Sequence, residues 1–346
     1  MRAVIDPDPY PAPLKALTRD ATGRLIARVK RNAPVLGEHA DRWMRALAGD
    51  APPERYFLHP RAFPAVLLPW LLETAIRRQP SRAFQRDVVY STVAGYFFVR
   101  LTDDLMDGEP VAAPVVPLLI VLHAEFEQTY HPYFPPSHAF WDDLARSSYQ
   151  AAETASRDAG QGRITREHFL ASSARKVAGA KIPIAAVCHR YGRSDLVAPW
   201  SAFVDLLGQW HQMLNDMLGW SRDLQRETPT YFLSEAVERA GPGGSIAEWV
   251  VGEGYQWGMG QLAPWMTDLK AAARQLESPA LVTYLEGRDR ALLATWAKLR
   301  GEMESLRRLA RSLRAAGGGG GSSAAGVELG DPTPDGDGRQ RHARQR

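Results

Sequence analysis

From about residue 14 to residue 315, apolar residues recur at intervals of three and four, with no sustained apolar/polar alternation of the kind a half-buried strand needs. That pattern confines the body of the chain to helix packed on helix. Punctuation falls at Pro52-Pro53, Pro80, Gly108 to Pro117, Pro132 to Pro136, Gly160-Gln161-Gly162, Tyr191-Gly192 and Gly241-Pro242-Gly243-Gly244. Such spacing predicts helices of about 15 to 30 residues, longer than the globular mean. Long helices joined by short loops predict an all-α, single-domain bundle, and no repeat of solenoid period is present.

The ends differ from the body. Residues 1–13 are proline-rich and read as an arm, leaving 14–315 as the helical domain. Beyond it come five glycines, Gly317 to Gly321, and then a polar, basic stretch. Residues 316–346 bury too little apolar surface to offset their ordering entropy, so a disordered tail is expected. The glycine run closes on Ser322-Ser323 rather than Lys-Ser/Thr, so it is not a phosphate-binding P-loop. The formal charge of +3 owes much to Arg339, Arg341, Arg344 and Arg346, which removes the case for nucleic acid as partner. Cys188 is the single cysteine, which excludes an internal disulfide and argues against a thiolate metal site. No signal-peptide-like run opens the sequence, and the apolar runs at 65–76 and 111–122 are interrupted by proline and short of a bilayer span. A soluble, cytoplasmic protein without stable membrane insertion is expected.

Two acidic segments carry the chemistry. In the first, an apolar helical run ends in Asp103-Asp104-Leu105-Met106-Asp107-Gly108. On a helix Asp103 and Asp107 share a face, repel each other, and oppose the macrodipole at the C-terminal end. A hard divalent cation between them turns that repulsion into ligation. Thr92, Tyr96 and Val99 precede them on the same face and form a wall beneath the acids, which a merely solvated helix end would not need. The second segment runs from Gln212 through Asn215-Asp216 to Arg222-Asp223. If the helix continues, Asn215, Gly219, Asp223 and Glu227 make one stripe, with Gly208, His211 and Gln212 extending the face below. Two helices with oxygen ligands at their ends can meet across a cavity and hold several Mg²⁺ ions.

Residues 103 to 107 resemble the DDxxD motif of trans-prenyltransferases and class I terpene synthases. The later segment resembles the second metal motif of terpene synthases: Asn-Asp, two residues, Ser or Thr, two residues, Lys or Arg, then Glu. Asn215, Asp216, Arg222 and Asp223 match it with one acid exchanged for another. Gly219 does not match; it removes a hydroxyl ligand and leaves the third metal to water, to Glu227 or to looser binding. The similarity covers about residues 55 to 240. It implies an isoprenoid synthase fold around an apolar cavity and a set of roughly three Mg²⁺ ions, with Mn²⁺ as a substitute. The implied catalytic set is Asp103, Asp104, Asp107, Asn215 and Asp223, with Asp103, Asp107, Asn215, Asp223 and Glu227 as metal ligands. Arg222 and Lys176 would bind the diphosphate, with Lys181 a competing lysine, while Tyr96, Val99, His211 and Gln212 would line the substrate. Dimers are common in that family.

Chain-elongating relatives place an arginine pair shortly after the first motif and a basic Gly-Gly-Lys-Arg type segment near the N-terminus. Here the chain continues Gly108-Glu109-Pro110-Val111, and His59-Pro60-Arg61-Ala62 keeps at most one basic residue of the other element. A second diphosphate would need such donors. The expected reaction is therefore that of a terpene synthase, a lyase that ionises one linear prenyl diphosphate and releases diphosphate from the allylic cation. His211 is a candidate terminal base, and Tyr96, Phe97, Trp210, Trp220, Tyr231 and Phe232 are candidate cation-facing aromatics. A prenyltransferase and an inactive helical partner subunit are the alternatives.

Overall fold

The computed structural model describes residues 8–60, 62–158 and 162–317. The expected arm falls partly within these residues, and Tyr10 in it is buried; Arg61, the Gly160-Gln161 break and the tail from residue 318 lie outside them. All regular secondary structure among the described residues is helical, with no strand. One compact unit runs up to Trp296, and residues 297–317 continue its last helix as a unit of their own.

Helix α1 (Ala12–Asn32) buries Leu14, Leu17, Ala21, Leu25 and Val29, the three-and-four spacing read from the sequence. Pro34 then opens α2 (Pro34–Leu47), a start rather than an interruption, since the first turn of a helix has no use for an N–H at that position. A short turn, α3 (Arg55–Leu58), precedes α4 (Leu67–Arg77) and the long α5 (Arg82–Met106), whose N-terminus is capped by Ser81. Buried Glu73 ties three helices together: it accepts from the Ser81 N–H at 2.6 Å, from Gln85 of α5 at 2.7 Å and from the Tyr191 hydroxyl at 2.5 Å. Helix α6 (Leu118–Gln128) lies along α5, where the Tyr90 hydroxyl donates to Glu125 at 2.8 Å and Ser91 to the Phe126 carbonyl at 2.9 Å.

Helix α7 (Phe140–Asp158) is followed by α8 (Arg166–Lys176), which Thr165 caps. A 3₁₀ turn, Ala178–Ala180, separates α8 from α9 (Lys181–Arg190). No glycine-proline signal announced that break; Gly179 sits in the turn with room to spare, since a Cβ there would meet only Val99 of α5, at 4.0 Å. The longest helix of the first unit, α10 (Val197–Gln225), packs on α8, α9, α11 (Tyr231–Ala240) and α13 (Tyr255–Gln275). Between α11 and α13 lie a single turn, α12 (Ile246–Trp249), and a π-helical turn. Helix α14 (Pro279–Gly317) closes the chain. The core holds Trp200, Trp210, Phe97, Phe203 and Phe232 almost without exposure. Helices α5 and α10, which bear the two acidic segments, both pack on α9 and on the 3₁₀ turn before it.

Candidate active site

The first acidic segment occupies the last turn of α5. Gly108 at φ +68° ends it, and the Glu109 N–H closes on the Asp104 carbonyl at 2.8 Å. Asp103 still meets solvent, yet the protein crowded around it and the neighbouring Asp107 carboxylate push its pKa up to about 6. The repulsion inferred from the spacing is therefore present in the fold. Asp104 is placed differently. It is buried and ion-paired with Arg100 one turn earlier, so it braces the helix end instead of joining the exposed acids.

Below the acids, Tyr96 meets Tyr56 and Phe57 of α3 edge-on, with ring centroids 5.8 and 5.5 Å apart, and Phe57 meets Phe97 at 5.0 Å. Burial raises the Tyr96 and Tyr56 phenols, and the charges of Arg100 and Asp103 act on both. An aromatic wall thus adjoins the acidic end. Tyr56 and Phe57 were not identified from sequence, because α3 is one turn long and shows no periodicity. Thr92 is buried and bonded to the Val88 carbonyl at 2.7 Å, and Val99 faces the 3₁₀ turn.

On α10 the expected stripe is shorter than the spacing suggested. The helix ends at Gln225, and Glu227 lies two residues beyond it at φ +53° and exposed, so the face carrying Asn215, Gly219 and Asp223 does not include it. Asn215 is exposed, whereas its neighbour Asp216 is buried. Asp216 accepts from Gln212 at 2.7 Å and from the Tyr231 backbone N–H at the start of α11. Burial dominates even so and pushes it up to about 7, with Asp223 adding to the rise. Asp223 is itself buried and takes both Nε and Nη2 of Arg222 on Oδ1, at 3.1 and 3.0 Å.

Two observations bring the segments together. The Lys176 ammonium, at the end of α8, pulls against the rise at both Asp103 and Asp216, so it stands near the acids of both helices. Beyond the helix ends, Arg226 is ion-paired with Glu109. Lys181 is committed elsewhere, to Asp205 at 2.6 Å. The approach of α8 to α10 depends on Gly208, where a Cβ would come within 2.5 Å of Val177 Cγ2 and 2.9 Å of the Ser173 carbonyl oxygen.

His211, one turn before Asn215, packs edge-on against Phe63 at 5.5 Å. Burial and the nearby Arg288 push it down to about 3, so it is neutral, and its buried Nδ1 has no hydrogen-bond partner. Trp210 is fully buried beneath the Arg288 guanidinium, and Trp220 donates to the Tyr255 hydroxyl at 3.0 Å. Tyr231 and Phe232 belong to the core.

Among the described residues, no group of three or more His, Cys, Asp or Glu side chains is gathered closely enough to hold a metal ion unaided. The residues fit a cation at one end only. Asp103 and Asp107 form a mutually repelling pair that a divalent ion would neutralise. At the α10 end, Gly219 supplies no oxygen and Asp223 already holds a guanidinium. No described helix is long and apolar enough to cross a membrane.

The chain matches no protein-family model, and no curated protein matches its sequence. Among solved structures it is similar to a geranylgeranyl pyrophosphate synthetase from the archaeon Geoglobus acetivorans. The TM-score is 0.59 at 14% identity, over 82% of this chain and 99% of that one. An all-helical architecture shared over most of both chains leads to one conclusion: the chain has the class I isoprenoid synthase fold.

Proposed function

We propose that this protein is an Mg²⁺-dependent terpene synthase, which ionises a single linear prenyl diphosphate and releases diphosphate from the resulting allylic cation. The observation that carries this reading is the position of Lys176, whose charge acts on Asp103 of α5 and Asp216 of α10 at once. The Arg226–Glu109 ion pair, just past the ends of α10 and α5, supports the same reading.

In this reading Asp103 and Asp107 hold metal, with Asn215 as the exposed oxygen ligand from α10. Magnesium, when bound, stabilises the charge that develops on the departing diphosphate. Lys176 and Arg222 donate to the same oxygens, charge-assisted bonds roughly twice as strong as neutral ones. Tyr96, Tyr56 and Phe57 exclude water from the cation and offer it aromatic faces, worth roughly 0.5 to 2 kcal/mol each. Neutral His211 is available to take the final proton. The choice of one diphosphate rests on the stretch after the first motif, where Glu109 clasps Arg226 in place of a free arginine pair.

Chain elongation is the second reading, and the name of the archaeal neighbour favours it. Incubation with geranyl, farnesyl, geranylgeranyl and geranylfarnesyl diphosphates and Mg²⁺ separates the two. A hydrocarbon or alcohol product formed without isopentenyl diphosphate supports the cyclase, and a product lengthened only when isopentenyl diphosphate is added supports the transferase. Absence of both products and of diphosphate release sinks the enzymatic reading.

A further inference from the structure

Residue 219 is where the resembled motif carries a hydroxyl, and the structure shows what fills the space instead. On a helix, residue 219 neighbours both 222 and 223, three and four positions on. Residues 222 and 223 themselves point about 100° apart and do not ordinarily face each other. Arg222 nevertheless reaches Asp223 with two donors, Nε at 3.1 Å and Nη2 at 3.0 Å. It does so by lying over Gly219, where a Cβ would sit 3.0 Å from Arg222 Nη2 and 3.1 Å from Asp223 Oδ2. A Cβ at 219 would press on the guanidinium and oblige it to give by a few tenths of an ångström, and a longer side chain would compete with it for the same space. The missing hydroxyl and the seated guanidinium are therefore two sides of one arrangement.

We infer that Arg222 is a tethered cation standing where the motif's α10 metal ion would bind, and that Asp223 is a positioning residue for it rather than a metal ligand. The exposures agree with this: the Asp223 side chain is 11% exposed and the Arg222 side chain 64%, an anchored acid beneath a cation open to solvent. An arginine is charged at any working pH and offers its donors in a planar fork suited to phosphate oxygens. The inference rests on the reading of the site as a diphosphate site. It adds that the site takes one metal ion fewer than the motif it resembles.

The test is Mn²⁺ binding to the full-length protein, followed by electron paramagnetic resonance with inorganic diphosphate present, alongside calorimetry of inorganic diphosphate at saturating Mg²⁺. Asp223→Asn should leave the number of bound Mn²⁺ ions unchanged while weakening diphosphate binding about tenfold, because the guanidinium loses its seat. The double variant Gly219→Ser/Arg222→Gln should bind one Mn²⁺ more than the parent. Loss of one Mn²⁺ in Asp223→Asn, or equal counts in the parent and the double variant, overturns the inference alone. If the parent shows no diphosphate-dependent Mn²⁺ binding, the functional reading falls and the inference with it. Circular dichroism of each variant confirms that the helices are retained.

Discussion

Asp216 illustrates how far a single side chain can depart from its sequence reading. Asn215 looked like the ligand and Asp216 its companion, yet the fold buries Asp216 under the start of α11 and leaves Asn215 in the open. Its carboxyl titrates near 7 in the folded chain against an ordinary 3.8, so between those values the folded state holds a proton that the unfolded state has lost. Stability of the metal-free protein should accordingly rise as pH falls from about 7 to about 4, and Asp216→Asn should flatten that dependence, as read from urea midpoints across the range. The charged and polar groups acting on Asp216 are Gln212, Lys176, Asp223 and the Tyr231 N–H, and buried Asp223 keeps its Arg222 partner in the variant. A steeper slope in the variant would contradict the assignment. The two lysines give a second contrast. Lys176→Ala should cut turnover by at least about 100-fold with little change in melting temperature, because in the proposed site its charge acts beside Asp103 and on the departing diphosphate. Lys181→Ala should instead lower stability, since it strips the partner from Asp205, a carboxyl already raised by burial. Kinetics and thermal melts on both variants check the pair, and the reverse pattern would exchange their roles.

At the scale of elements, the proposed site draws on α5, α8 and α10, and the end of α8 packs against the middle of α10 at Gly208. Gly208 sets the closeness of α8 and α10, and Gly208→Val should push Val177 and the Ser173 carbonyl away. Overpacking of this kind costs roughly 1–3 kcal/mol. Since Lys176 is the residue just before Val177, activity should fall further than stability explains, as rate measurements at a temperature well below the melting point would show. Unchanged specific activity in a folded Gly208→Val protein would detach Lys176 from the chemistry. The Glu109–Arg226 pair works differently: both partners are partly exposed, so it orients the two helix ends without contributing much stability. Neither contact was visible in the sequence. A glycine inside a helix reads as a weak spot until the partner it admits is known, and two loop residues 117 positions apart carry no sign of each other.

For the whole molecule, aromatic packing holds α11, α12 and α13 together at Phe232. Phe232 is fully buried, packed 5.9 Å from Trp249 and 6.1 Å from Trp257 between ring centroids. Phe232→Ala should cost about 3–5 kcal/mol, measurable as a shift of the denaturation midpoint without a change in slope. A cost below about 1 kcal/mol would mean that the core closes over the gap. By itself the sequence determined the helical class, most helix ends and both acidic segments, because these depend on residues within a few turns of one another. Three-and-four periodicity, proline and glycine breaks and acids four apart are all local facts. Tertiary structure alone decided that Asp104 pairs with Arg100, that Asp216 is buried where Asn215 is not, that Glu227 leaves the helix and that Lys181 is taken by Asp205. Those outcomes turn on which face of each helix meets a neighbour. That is fixed by packing between segments far apart in the chain, a relation that local spacing does not encode.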